Sequence, residues 1–149
     1  MADNGTLLQE RAIRLDGAAG SADEAIRLAG QLLVDVGAVG SSYVEAMLER
    51  EQSVSTVMGE GVAIPHGTNE SKGDVRRDAL SFVRFPDGVD WNGKPVTIAI
   101  GIAATGDNHV GILSKLAMIL VDPDSAKQLR EATDPATVLT LLQPEGEPA

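Results

Sequence analysis

The sequence predicts an α/β fold: a single domain with a mixed β-sheet flanked by helices on both faces, a three-layer sandwich. Helical and strand periodicities alternate along the chain. One strand is apolar on both of its faces, which suits a central strand covered on both sides. The 149 residues match one compact domain. That domain is expected over residues 10–142, after a loose arm at 1–9 and before a Pro/Gly/Glu-rich flexible tail at 143–149.

Residues 11–15 read as a short strand. Residues 21–36 read as a helix, opened by a capping box of Ser21 and Glu24. Ala25, Leu28, Ala29, Leu32, Leu33 and Val36 repeat at helical spacing, and Gly37 suits the position just past the end. A second helix is expected over 42–52, with Ser42 and Glu45 as another capping box and Tyr43, Met47 and Leu48 facing inward. Residues 62–64 and 79–85 read as strands. In 95–103, Val96, Ile98, Ile100 and Ile102 line one face, while Thr97, Ala99, Gly101 and Ala103 line the other. The small-residue face allows a helix to pack closely. Three helices follow, from Asp107 or Asn108 to about 120, from Pro123 after Asp122 to about 132, and from Pro135 after Asp134 to about 142.

Composition removes several function classes. There is no cysteine, so disulfides, thiol catalysis and cysteine-bound zinc are excluded. Twelve basic against 22 acidic side chains give a net charge of −10, a field that repels nucleic acid and anionic lipid. Aromatics are only 3%, too few for base-stacking platforms. No apolar run approaches the roughly 20 residues of a membrane helix, and the acidic N-terminus does not read as a signal peptide. The expectation is a cytoplasmic domain that neither enters a membrane nor binds nucleic acid.

Imidazole chemistry is confined to His66 and His109. His66 follows a short apolar strand and Pro65, whose φ is fixed, and precedes Gly67, a residue able to adopt conformations others avoid. Catalytic groups in α/β sheets often leave at strand ends in this way. Thr68 adds a hydroxyl able to donate to an anion. His109 falls in the first turn of a helix, where unpaired N–H groups and the dipole favour an anion. A lone histidine usually reads as structural; two, each in such a setting, suggest a site. Metal binding has little support, since the histidines stand 43 residues apart with no HExxH, although Glu60 and aspartates remain possible ligands. No GxSxG, P-loop or GxGxxG is present. What remains is phosphoryl transfer on histidine, a nucleophile that has no hydroxyl proton to lose. It needs donors around the spread charge of the transferred group. Arg50 is one candidate; it also reads as a surface charge paired with Glu49 or Glu51. Lys72, Arg76, Arg77 and Arg84 read as a solvated face.

The stretch Gly59-Glu-Gly-Val-Ala-Ile-Pro-His66-Gly-Thr-Asn-Glu-Ser-Lys72 resembles the phosphohistidine loop of IIA components of the bacterial phosphoenolpyruvate:sugar phosphotransferase system, mannitol/fructose type. The similarity continues through Phe85-Pro-Asp-Gly-Val89, Val96–Ala104 and Asn108-His109-Val110, nearly the whole chain, and is nearest to the mannitol branch. The resemblance implies a mixed sheet with flanking helices and no metal or organic cofactor. It implies that His66 takes a phosphoryl group from phospho-HPr and passes it to a cysteine of a IIB domain on a separate chain, associated with a IIC membrane permease. His109 would orient His66 or bind the phosphoryl group. Arg50 would stabilise its charge, and Glu60 matches an acidic loop residue. The −10 field suits HPr, which presents basic residues. Ile64 and Ile112 are expected in an apolar docking rim. The alternative is a nitrogen-regulatory IIA protein that binds targets according to its phosphorylation state.

Overall fold

The strand read as central is central. β5 (Lys94–Ala103) runs through the middle of a five-stranded sheet that also contains β1 (Leu8–Arg14), β2 (Val57–Gly59), β3 (Val62–Ala63) and β4 (Ala79–Trp91), in the order β1-β4-β5-β3-β2. The computed structural model describes residues 8–53, 55–59, 61–104 and 108–142. The sheet is mixed: β1 is parallel to β4, β4 antiparallel to β5, β5 parallel to β3, and β3 antiparallel to β2. The helices are α1 (Ala22–Asp35), α2 (Ser42–Ser53), α3 (Asn108–Leu120), α4 (Pro123–Arg130) and α5 (Pro135–Leu142), with a 3₁₀ turn at Asn69–Asp74. The α/β single domain expected from the sequence is therefore the fold.

Register explains the layers. Ser81 and Gly101 are paired across β4 and β5, and the Ser81 hydroxyl donates to the Ala29 carbonyl at 2.8 Å. That face belongs to α1. Leu80 and Phe82, opposite Ile102 and Ile100, point away from it; α4 packs on β5 and α5 on β1. A Cβ at Gly101 would meet the Ala29 Cβ and carbonyl at 3.3 Å, so the small-residue face does admit a close helix. Val96, Ile98, Ile100 and Ile102 are fully buried. Each such side chain contributes about 1.5–3 kcal/mol by leaving water.

The start of α1 nearly matches the expected capping box. The Ser21 hydroxyl accepts from the Glu24 N–H at 3.2 Å, but the Glu24 carboxylate reaches back to the Gly20 N–H at 2.7 Å. Its end is a Schellman motif, with the Gly37 N–H donating to Val34 and the Ala38 N–H to Leu33. Gly37 has φ +78°, as that position requires. α4 and α5 open on Asp122 and Asp134 as expected, the carboxylates accepting from the Asp124 and Thr137 N–H groups. α4 stops at Arg130, two residues short of the expected end.

Four expectations are corrected here. β1 begins inside the arm expected to be loose, because Leu8 is fully buried opposite Leu80. Ser42 does not cap α2; it lies in the first turn, and its hydroxyl donates to Asp74 at 3.3 Å. β4 does not stop at Phe85. It absorbs Pro86 and Gly88 (φ +78°) in a register shift between Arg84 and Val89, then turns into β5 at Asn92-Gly93, both with positive φ. The basic stretch is not uniformly solvated either. Arg77 donates to the Val36 carbonyl at 2.6 Å, and the Arg84 Nε is buried.

Candidate functional site

Beyond β3 the chain keeps running beside β5. The Ile102 N–H donates to the Pro65 carbonyl at 3.0 Å, and His66 bridges in parallel to Ile102. His66 is only 7% exposed. It lines a cavity of about 550 Å³ with Tyr43, Arg50, Ser55, Thr56, Val57, Met58, Ile64, Gly67, Thr68, Ala104 and Leu113. Tyr43 and Arg50 stand seven residues apart, two turns of α2, and so share one helix face. The structure thus brings His66, Arg50 and Thr68 together. Met58 is 39% exposed and supplies apolar rim.

The ring has a defined orientation. His66 Nδ1 lies 2.8 Å from the Ile64 carbonyl oxygen. A carbonyl only accepts, so Nδ1 carries the proton and Nε2 carries the lone pair of the neutral ring. Gly67 is needed here for space. Its φ is not among the positive ones, contrary to the conformational role expected of it. A Cβ there would collide with the Ser71 hydroxyl and lie 2.6 Å from Tyr43 Cε1. The Tyr43 hydroxyl accepts from the Gly67 N–H at 2.9 Å and donates to the Ile102 carbonyl at 2.9 Å. Burial pushes this phenol above its ordinary value, against the opposing effect of the Gly67 N–H, so it stays protonated and able to donate. Thr68 turns the loop onward, its carbonyl accepting from the Ser71 N–H and hydroxyl at 3.1 and 2.7 Å.

His109 is the second residue of α3, the helix-start position expected of it. Its side chain, the residues before Asn108 and all of Glu60 lie outside the described residues. α3 reaches the cavity through Leu113, one turn after His109 in the chain. Ile112, expected in the docking rim, is instead buried in the core, whereas Ile64 does line the cavity. Glu51 is no surface partner for Arg50. It is buried and accepts from the Thr56 N–H, the Thr56 hydroxyl and the Trp91 indole N–H. Tyr43 and Glu51 were legible only as a core aromatic and a helix-surface charge. The partners of Tyr43 lie 24 and 59 residues away and Trp91 lies 40 from Glu51, beyond any local pattern; Thr56, five residues on, is the one near in the chain. Among the described residues, no group of three or more His, Cys, Asp or Glu gathers as a metal site would need.

Residues 6–144 match the family described as "Phosphoenolpyruvate-dependent sugar phosphotransferase system, EIIA 2". A mannitol-specific phosphotransferase enzyme IIA component of Staphylococcus aureus is 45% identical over 112 residues, 75% of this chain and 78% of that protein. The corresponding protein of Halalkalibacterium halodurans is 41% identical over 137 residues, 92% of this chain and 94% of its own. Among solved structures, enzyme IIAMTL of Escherichia coli, in complex with phosphorylated enzyme IIBMTL, superposes with a TM-score of 0.83 at 36% identity, covering 91% of this chain and 98% of that one. The chain belongs to the EIIA type 2 family of the phosphoenolpyruvate-dependent sugar phosphotransferase system. Both curated relatives are mannitol-specific, in agreement with the mannitol/fructose type that the loop around His66 resembles.

Proposed function

We propose that the chain is a cytoplasmic phosphocarrier of mannitol-type sugar uptake, with His66 Nε2 as the phosphoryl acceptor. The observation that supports this most directly is the bond from Nδ1 to the Ile64 carbonyl, which leaves the nucleophilic lone pair on Nε2. Phospho-HPr is the donor. The P–N bond of its phosphohistidine breaks as a bond from phosphorus to His66 Nε2 forms, and the electron pair returns to the HPr ring. The positive charge arising on the His66 ring is shared with Nδ1–H and stabilised by the Ile64 carbonyl. The phosphoryl group then passes to a cysteine thiolate of a IIB domain that serves a IIC permease. This chain has no cysteine, so the thiol belongs to the partner.

Arg50, on the same cavity as His66, supplies charge to the three phosphoryl oxygens in the loose transition state. Thr68 offers a hydroxyl donor, and His109, at the start of α3, orients His66 or binds the phosphoryl group. Glu60 is assigned to the same loop with no more specific task. Among the described residues, no helix is long and apolar enough to cross a membrane. The test is incubation with phosphoenolpyruvate, enzyme I and HPr. One acid-labile, base-stable phosphate should appear per chain, be absent from His66→Gln, and chase onto a mannitol-type IIB domain. Full labelling of His66→Gln would remove the site assignment. Labelling without any chase onto IIB would favour the nitrogen-regulatory type instead.

A further inference from the structure

A buried carboxylate outside the cavity is joined to the His66 ring by hydrogen bonds that run through the backbone of Thr56 and Ile64. Glu51, in the last turn of α2, is 8% exposed, and its two oxygens receive three donors. The Trp91 indole N–H donates at 2.9 Å, the Thr56 N–H at 3.0 Å, and the Thr56 hydroxyl donates as well. Thr56, itself buried, accepts at its carbonyl from the Ile64 N–H at 3.0 Å. The Ile64 carbonyl accepts from His66 Nδ1 at 2.8 Å.

We infer that Glu51 is a positioning residue for phosphoryl transfer: by fixing Thr56 it fixes Ile64, whose carbonyl holds His66 in the Nδ1–H tautomer. The inference rests on His66 being the phosphoryl acceptor. Each link of the line crosses a Cα, so what it transmits is position rather than charge. The anchoring is strong because a buried carboxylate with three donors has no alternative solvent partner nearby. Glu51 is carried by α2, which is built into the core, so Ile64 is tied to the rigid part of the molecule. The placement also separates Glu51 from its chain neighbour Arg50. Glu51 points into the core, while Arg50 lines the cavity.

The test is Glu51→Gln. The amide keeps the volume but removes the charge and one acceptor oxygen: with its nitrogen against the Thr56 hydroxyl, that hydroxyl must turn to accept, and the Thr56 and Trp91 N–H groups share one neutral oxygen, so the anchoring weakens. The chain has two histidines, so the ring nitrogens are readily resolved by proton–nitrogen correlation spectroscopy. In the wild type the neutral His66 ring should be Nδ1–H. In Glu51→Gln the Nε2–H form should grow. The rate of phosphoryl uptake at saturating phospho-HPr should fall on the order of tenfold with KM unchanged, the scale on which outer-sphere hydrogen-bond partners act. Trp91→Phe is the control for a merely structural role. It removes one donor and some packing, lowering the melting temperature, yet leaves the line from Glu51 to His66 intact, so tautomer and rate should hold. A folded Glu51→Gln protein with wild-type tautomer and rate would overturn the inference. So would a Trp91→Phe protein that loses both to the same degree. If Glu51→Gln does not fold, Thr56→Val removes one of the two Thr56 donors and should shift the tautomer in the same direction; no shift would overturn the inference. Wild-type protein that phospho-HPr does not label would refute the proposed function, while the tautomer measurement would still decide the role of Glu51.

Discussion

Replacing Tyr43 by Phe removes a single oxygen atom and with it two buried hydrogen bonds. The hydroxyl donates to the Ile102 carbonyl and accepts from the Gly67 N–H, each at 2.9 Å. The ring remains, so the cavity term is small and the packing against Gly67 survives. The cost comes from two backbone groups left without their partner. At about 1 kcal/mol for each net bond, and up to about 3 for a buried orphan, the expected loss is about 2–3 kcal/mol. In a chain of this length that lowers the melting temperature by about 4–10 °C. The loss also frees the peptide immediately after His66, so phosphoryl uptake should slow in a protein that is still folded. Calorimetry and transfer from phospho-HPr measure the two effects. The difference between the proteins should also shrink in alkali. Burial raises the Tyr43 phenol, so its contribution is complete below the ordinary value of about 10 and fades as pH climbs through the raised one. A Tyr43→Phe protein that melts with the wild type and is labelled at the same rate would refute this account of the loop.

Gly67→Ala should be worse for activity than for stability, because its Cβ meets Tyr43 and Ser71 beside His66; near-normal labelling would count against the close-approach argument. Gly101→Ala should cost about 1–3 kcal/mol in denaturant unfolding, since its Cβ lies against Ala29 and the Ser81 hydroxyl where α1 touches the sheet. Arg50→Gln should lower phosphoryl transfer by roughly 10²–10³, the scale of losing one preorganised donor, with little change in melting temperature. Asp134 is held below the ordinary carboxylate range by the Thr137 N–H and side chain. Its contribution is present above that range and lost as pH falls through the lowered value. Asp134→Asn should therefore make acid unfolding less steep while preserving α5 at neutral pH.

Much of the fold was legible because its signals are local. The dual-faced apolar pattern of 95–103 marks a central strand, and Asp-Pro pairs mark two helix starts, since neither feature depends on what lies across the molecule. The misreadings share one cause. The strand read over 79–85 looks finished before Pro86 and Gly88 until β5 is seen to tolerate a bulge opposite them. Ser42 looks like a cap until Asp74 claims its hydroxyl. Leu8 looks like part of an arm until Leu80 pairs with it.

The site divides along the same line. The sequence alone determined that imidazole chemistry had two places to reside, that no thiol was available, and that His66 followed a strand and a proline. These are statements about which atoms exist and how one short segment can bend. Only the tertiary structure decided which nitrogen bears the proton. That follows from a carbonyl brought to 2.8 Å. It also decided that Gly67 is there for Tyr43 to approach, and that Glu51 faces Thr56 and Trp91 rather than solvent. Hydrogen bonds act over about 3 Å, and the chain separations they bridge here reach 59 residues, so only folding could specify them.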